Sequence, residues 1–367
     1  MVNQFGLPYI IIMKNILLLF FVFYLQSISS QVLLDADGPG NTYPLITSVL
    51  APGYNPIEVP DCNHMEFGDH IDEVFDNALN ENVFRFFIHR TPDNDRCINF
   101  DRQRNEIKTY DKSPDNLLGI EGETVVYKWK FKLAAGFQSS PNFTHLHQLK
   151  SVGGSLASMP MYTLTTRKGN PDRLELRYAE TNSQVTLMQT SLTPFINTWL
   201  DVTETIKYGT SGTYELEIKK VSDGSILFTY SNNSIVNWRA GADFVRPKWG
   251  IYRSLINEQD LRDETVLFAN FSIEEVVTLS LNDSATDNNP FYIIPNPVEN
   301  ILHIKNLSKK VNLIELFSLD GSKIMEKTMD DQSEVNFDVS SISNGTYIVI
   351  LKGEKLYNKS KLFIISH

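Results

Sequence analysis

Three short stretches carry residues whose types and spacing suit proton-transfer chemistry. In RPKWGIYR, Arg246 to Arg253, strand alternation puts Lys248, Gly250 and Tyr252 on one face and Trp249 and Ile251 on the other. A tyrosine beside fixed cations, with a glycine that lets a ligand approach the backbone, makes a site that can move a proton. The plainer alternative is an amphipathic strand whose lysine and tyrosine are only solvated. In DRQRNEIK, Arg102, Arg104, Glu106 and Lys108 share a face, where Arg104 and Glu106 can bind a ligand or simply pair. In THLHQLK, Gln148 and Lys150 lie on one face, and alternation sends His145 and His147 to the other, towards a core or back-sheet role. A bulge would swap the faces, which keeps His147 as an alternative base. The His145-Leu146-His147 pair has no evident carboxylate partner for a metal.

The elements that must position these residues read as strands. Between about Glu81 and Val276 the chain alternates in short runs separated by Gly, Asn, Asp and Pro, the pattern of a β-sandwich or jelly roll of about ten strands. Runs such as Thr124–Leu133 and Arg173–Tyr178 are clear, and Ser222-Asp223-Gly224 marks a hairpin. The clearest helical candidate is His70–Leu79, short and peripheral. At the far end, Ser280–Pro290 is polar and Asn/Asp-rich, a linker before a second set of strands over 291–367.

The 367 residues suffice for one large and one small domain, and the net charge of −11 argues against a nucleic-acid partner without excluding a locally basic cleft. From Met13, MKNILLLFFVFYLQSISSQ reads as a secretory signal ending near Ser30–Gln31, too short in its apolar run to span a membrane. Residues 1–30 are therefore expected to be removed, leaving a sandwich over 31–276, a linker over 277–290 and the C-terminal unit over 291–367. In an exported protein the two cysteines, Cys62 and Cys97, are expected to form one disulfide.

The C-terminal phrases resemble the sorting domain of proteins exported by the type IX secretion system of Bacteroidetes. The Pro295-Asn296-Pro297 turn, the Leu319-Asp320-Gly321 turn and Gly345-Thr346-Tyr347 carry the likeness. The central motifs, R-x-E-x-K from Arg104, Q-x-K from Gln148 and K-x-G-x-Y from Lys248, resemble the three signature strands of jelly-roll polysaccharide lyases. Lys150 stands where family 7 alginate lyases have a histidine. The wider sequence, including GETVVYKWKFKL and GADFVRPKWGIYRS, is most similar to the ulvan lyases of polysaccharide lyase family 28, with the glucuronan lyases of family 20 next.

That resemblance implies an all-β, concanavalin-like jelly roll and an endo-acting enzyme that cleaves a uronate polysaccharide by β-elimination. Such an enzyme must stabilise charge on the substrate carboxylate, take the C5 proton and protonate the leaving C4 oxygen. The resemblance gives the first task to Arg104 and Gln148 and divides the base and acid roles between Lys150 and Tyr252, in either order. Lys248, Arg253, Arg102, Glu106, Lys108 and His147 are the expected substrate-binding residues, and Arg104, Lys248 and Arg253 the cations that would depress the base. The Lys128, Lys130, Lys132 ladder is either a solvated face or a subsite for sulfate or carboxylate groups. No cofactor is required by this chemistry; Asp93-Asn94-Asp95 is the loop that would hold a structural calcium ion, or is a plain turn. The implied partners are an anionic polysaccharide and the secretion machinery, the implied state a secreted monomer. A non-catalytic carbohydrate-binding sandwich is the competing class, and a glycoside hydrolase, which needs two flanking carboxylates, fits least.

Overall fold

The computed structural model describes residues 30–276 and 291–367, apart from 306, 310, 320 and 354–357. The expected signal segment before residue 30, the expected linker, and Asp320 of the Leu319 turn lie outside the described residues. Among the described residues there is one α-helix, α1 (Thr42–Leu50), which follows the first strand and precedes a long succession of others. The strands are β1 (Ser30–Leu34), β2 (Ile57–Glu58), β3 (Ile71–Asp76), β4 (Glu81–Ile88), β5 (Arg102–Lys108), β6 (Thr124–Leu133), β7 (Thr144–Gly153) and β8 (Tyr162–Arg167). They continue with β9 (Arg173–Tyr178), β10 (Val185–Ser191), β11 (Leu200–Lys207), β12 (Gly212–Lys220), β13 (Ile226–Ile235), β14 (Ala242–Ser254) and β15 (Glu264–Glu275).

The strands form two antiparallel sheets. One has the order β13-β12-β11-β6-β15-β4-β3, with β1 added to β15; the other has the order β10-β9-β8-β7-β14-β5-β2. Alternation explains how they pack. In β6, Val125, Tyr127, Trp129, Phe131 and Leu133 point inward and are buried, while Lys128, Lys130 and Lys132 point out. Trp249 of β14 meets Trp129 across the sandwich with ring centres 6.1 Å apart, and Tyr162 of β8 stacks on Tyr214 of β12 at 4.0 Å. The jelly-roll expectation holds. The lysine ladder belongs to the outer face of the sheet that lacks the signature strands, so it is a solvated face, with Lys130 bound to Asn270 at 2.6 Å.

Residues 70–79 are not a helix. Ile71–Asp76 is β3, paired along its length with β4, and Asp76 Oδ1 accepts the backbone N–H groups of Ala78 and Leu79 to turn the chain into that partner. Burial of Ile71 against a long apolar neighbour strand outweighs local propensity. The helix that does form, α1, buries Ile46 and Leu50 in the sandwich core.

Cys62 and Cys97 are joined in a disulfide, as expected. It ties the segment after β2 to the loop between β4 and β5. The C-terminal unit has two small sheets, one of three strands and one of four, around its own apolar core of residues such as Leu302, Ile304, Phe337, Val349 and Phe363.

Candidate active site

Strands β5, β14 and β7 lie side by side, and their register gathers the three sequence motifs on one surface. Across β14 and β5, Lys248 faces Lys108, Gly250 faces Glu106 and Tyr252 faces Arg104. Across β14 and β7, Arg246 faces Lys150 and Lys248 faces Gln148. At the sheet edge the two-residue strand β2 adds Glu58 opposite Glu106. Arg104, Glu106, Lys108, Gln148, Lys150, Lys248 and Tyr252 are thus brought together, with Arg102 at the rim.

A buried charge network fixes most of them. Glu106 is fully buried, bonded to Lys248 Nζ at 2.6 Å, to Arg104 and to the Gln148 amide. Glu58 takes Lys108 Nζ at 2.9 Å and Arg96 at 2.8 Å, and also pairs with Lys248. Arg104 Nε reaches Asp95 at 2.8 Å. Burial alone would raise both glutamates, but Lys248 and Arg104 hold Glu58 and Glu106 below the usual carboxylate range. Glu106 is therefore an internal counter-ion that orients Arg104, Lys248 and Gln148. It is too enclosed for the substrate-binding role the sequence suggested.

Lys150 and Arg246 differ from this set: among the described residues no carboxylate lies within ion-pair distance of either. Burial, then Lys248, Arg246 and Arg104, push the Lys150 amine down to about 8. Arg246 stacks over the Tyr110 ring at 4.6 Å. Counting these two, cations outnumber the carboxylates Glu58, Asp95 and Glu106 on this face, so an acidic protein does present a basic cleft.

Tyr252 is held from two sides. The Arg104 guanidinium lies 3.7 Å from its ring centre, and Arg102 donates to its hydroxyl at 3.0 Å. Burial raises the phenol above its ordinary range, against the pull of Arg104 and Arg102. Tyr252 is accordingly protonated at neutral pH.

Two expected residues are elsewhere. His147 points into the sandwich, where Nε2 meets Glu204 of the opposite sheet at 2.8 Å and the ring packs 4.4 Å from Trp129. Arg253 is fully buried on the back of β14, donating to Gln103 at 2.8 Å. Its position is odd where Lys248 and Tyr252 are even, so alternation already placed it behind.

The bulge considered from the sequence exists, but it moves the other histidine. Pairing shifts between His145 and His147 on β7, and between Trp249 and Tyr252 on β14. His145 comes to face Tyr252, ring centres 5.7 Å apart, with Nδ1 2.6 Å from the Thr165 hydroxyl. Burial lowers it to about 3, so it is a neutral imidazole on the cleft face. The same irregularity explains Gly250. Its φ is +145°, and a Cβ there would stand 2.1 Å from the carbonyl oxygen of Asn105. What approaches this glycine is the neighbouring strand of β5, not a ligand.

Sequence reasoning missed Glu58, Asp95, Arg246 and His145. Glu58 sits in a strand too short to read, and Asp95 was weighed only as a calcium ligand, whereas its oxygens are taken by Arg104, Arg96 and Asn99.

Residues 292–366 match the family model described as a secretion system C-terminal sorting domain. The chain carries an export address. No curated protein matches the sequence. Among solved structures the chain is similar to an endo-β-1,4-glucuronan lyase from the fungus Trichoderma reesei, with 14% identity, TM-score 0.40, and 55% of this chain and 85% of that one covered. It is also similar to the family 14 alginate lyase of Aplysia kurodai, with 12% identity, TM-score 0.45, and 66% and 97% covered. A third is an alginate lyase of Pseudomonas aeruginosa, with 14% identity, TM-score 0.35, and 52% and 82% covered.

Proposed function

We propose that the protein is an exported polysaccharide lyase that cleaves a uronate-containing anionic polymer by β-elimination, with ulvan as substrate. The observation that carries this reading is Lys150: an amine lowered to about 8, unpaired with any described carboxylate, on the same cleft face as a protonated tyrosine. Near neutral pH a useful fraction of that amine is free base. Lys150 then takes the C5 proton, and Tyr252, its proton intact, donates to the departing C4 oxygen. Arg104 and the Gln148 amide, both braced by Glu106, meet the charge that develops on the uronate carboxylate. Arg246 and Lys150 attract the anionic chain. Lys in place of histidine at position 150 suits a more alkaline working range. The C-terminal unit would address the enzyme to type IX secretion, and removal of the signal segment would complete its export.

The test incubates the full exported chain with ulvan, glucuronan and alginate and follows ultraviolet absorbance of the unsaturated product. Absorbance that rises on ulvan, with kcat/KM climbing through an inflection near pH 8, supports the proposal. Its loss in Lys150→Met and Tyr252→Phe assigns the proton steps. A rise on another uronan keeps the chemistry and replaces the substrate. Binding without any rise overturns the enzyme and leaves a carbohydrate-binding sandwich.

A further inference from the structure

We propose that His64, His70, His89 and Asp93, which converge behind β5, form a structural zinc site. One ligand atom from each of the four lies within 4.8 Å of all the others. His64 Nδ1 is 2.8 Å from Asp93 Oδ1, His70 Nε2 is 3.2 Å from the same oxygen, and His89 Nδ1 is 3.1 Å from Asp93 Oδ2. In a tetrahedral zinc site with bonds of about 2.0–2.1 Å, neighbouring donors stand about 3.3 Å apart. The cluster therefore needs only small adjustments to close around an ion.

An independent feature points the same way. His70 Nδ1 meets Asp61 Oδ1 at 2.7 Å, and Asp61 in turn accepts from the Tyr43 hydroxyl at 2.8 Å. A carboxylate on one ring nitrogen fixes the tautomer and turns the lone pair of the other nitrogen toward a metal. Here that other nitrogen, Nε2, faces the cluster. The backbone around the ligands is also held: Asn105 donates to the His70 carbonyl at 2.7 Å and Gln103 to the Asp93 carbonyl at 2.9 Å. Phe67 covers the rings, 4.3 Å from His89 and 4.8 Å from His70 between centres.

The donor set selects the ion. Three imidazoles and one carboxylate suit zinc, whereas calcium and magnesium prefer oxygen ligands. Four protein donors leave no open position for chemistry, which makes the site structural. Gln103 and Asn105 alternate along β5 with Arg104 and Glu106, so the cluster and the cleft lie on opposite faces of one strand. The ion would lock the segment after β2, the end of β4 and the loop that carries Asp95, and so hold Arg104 from behind. The competing occupant is a proton, with His70 as an imidazolium bridging Asp61 and Asp93.

The test is elemental analysis of the purified full chain, followed by chelation and titration of the apo-protein with Zn2+ and Co2+. About one zinc per chain, a Tm that rises as zinc returns, and the visible ligand-field absorption of tetrahedral cobalt are expected. Asp61→Asn, which keeps all four ligands, should weaken zinc affinity about 10- to 100-fold. An apo-protein whose Tm ignores zinc and whose cobalt form shows no tetrahedral spectrum overturns the proposal in favour of the proton. Because that titration uses the wild-type chain, it decides even where His64→Ala or His89→Ala fails to fold.

Discussion

Replacing Lys150 by methionine should make the protein more stable while making it inactive. The amine is held among cations and partly out of water, which moves it from 10.5 to about 8. A displacement of that size corresponds to about 3 kcal/mol of unfavourable folding energy when the amine is charged. The side chain is partly exposed, and solvent screening leaves about 1–2 kcal/mol. For a unit of this size that is a Tm gain of about 3–6 °C at pH 7. The sign follows from linkage: a base whose folded value lies below its unfolded one penalises the fold fully below about 8, and the penalty fades as pH rises towards 10.5. The gain of Lys150→Met should therefore shrink between pH 8 and pH 10. All four tryptophans, at 129, 199, 238 and 249, lie in the sandwich, so their fluorescence follows its unfolding alone. Lys248→Met is the contrasting case on the same face. It strips Glu58 and Glu106 of a shared cation and should cost about 3–5 kcal/mol. A Lys150→Met protein that melts lower at pH 7, or whose gain is undiminished at pH 10, would refute the reasoning.

Two further outcomes are expected. Gly250→Ala should abolish folding or lower Tm severely, because the added methyl meets the Asn105 carbonyl at 2.1 Å in a backbone conformation that glycine favours; circular dichroism melting reads it, and a near-normal Tm would show that β5 can move aside. Cys62→Ser with Cys97→Ser opens a cross-link between residues separated by 35 positions, and should cost about 3–4 kcal/mol by loop entropy, with a Tm drop of about 10 °C in the same fluorescence melt.

Much of the sandwich was legible because alternation survives wherever one face is apolar. β6 and β9 match their sequence-expected bounds, since Tyr127, Trp129 and Phe131, or Leu174 and Leu176, repeat at period two against polar neighbours. β1, β2, β3 and β10 were missed for a shared reason: they are short or sit at sheet edges, where pairing with a neighbour makes the strand and composition says little. The cleft was legible in β5 and β14, whose even-numbered residues share a face by simple counting. It failed at β7, because a bulge changes the face of His145 without changing the sequence around it. It failed also for partners distant in the chain: nothing near Glu58 indicates that it will neutralise lysines 50 and 190 residues downstream.

The motifs that resemble those of known lyases begin at Arg104, well after the strand that carries Glu58. Anyone trimming the protein to those motifs would discard β1, which zips onto β15 from Leu34 to Ser30, and β2 with its glutamate. The excised core would retain every signature motif yet leave Lys108, Lys248 and Arg104 without a shared counter-ion at the sheet edge. The reach of the recognisable motifs and the reach of the working unit need not coincide. Here some thirty residues that look like a preamble complete the electrostatics of the cleft.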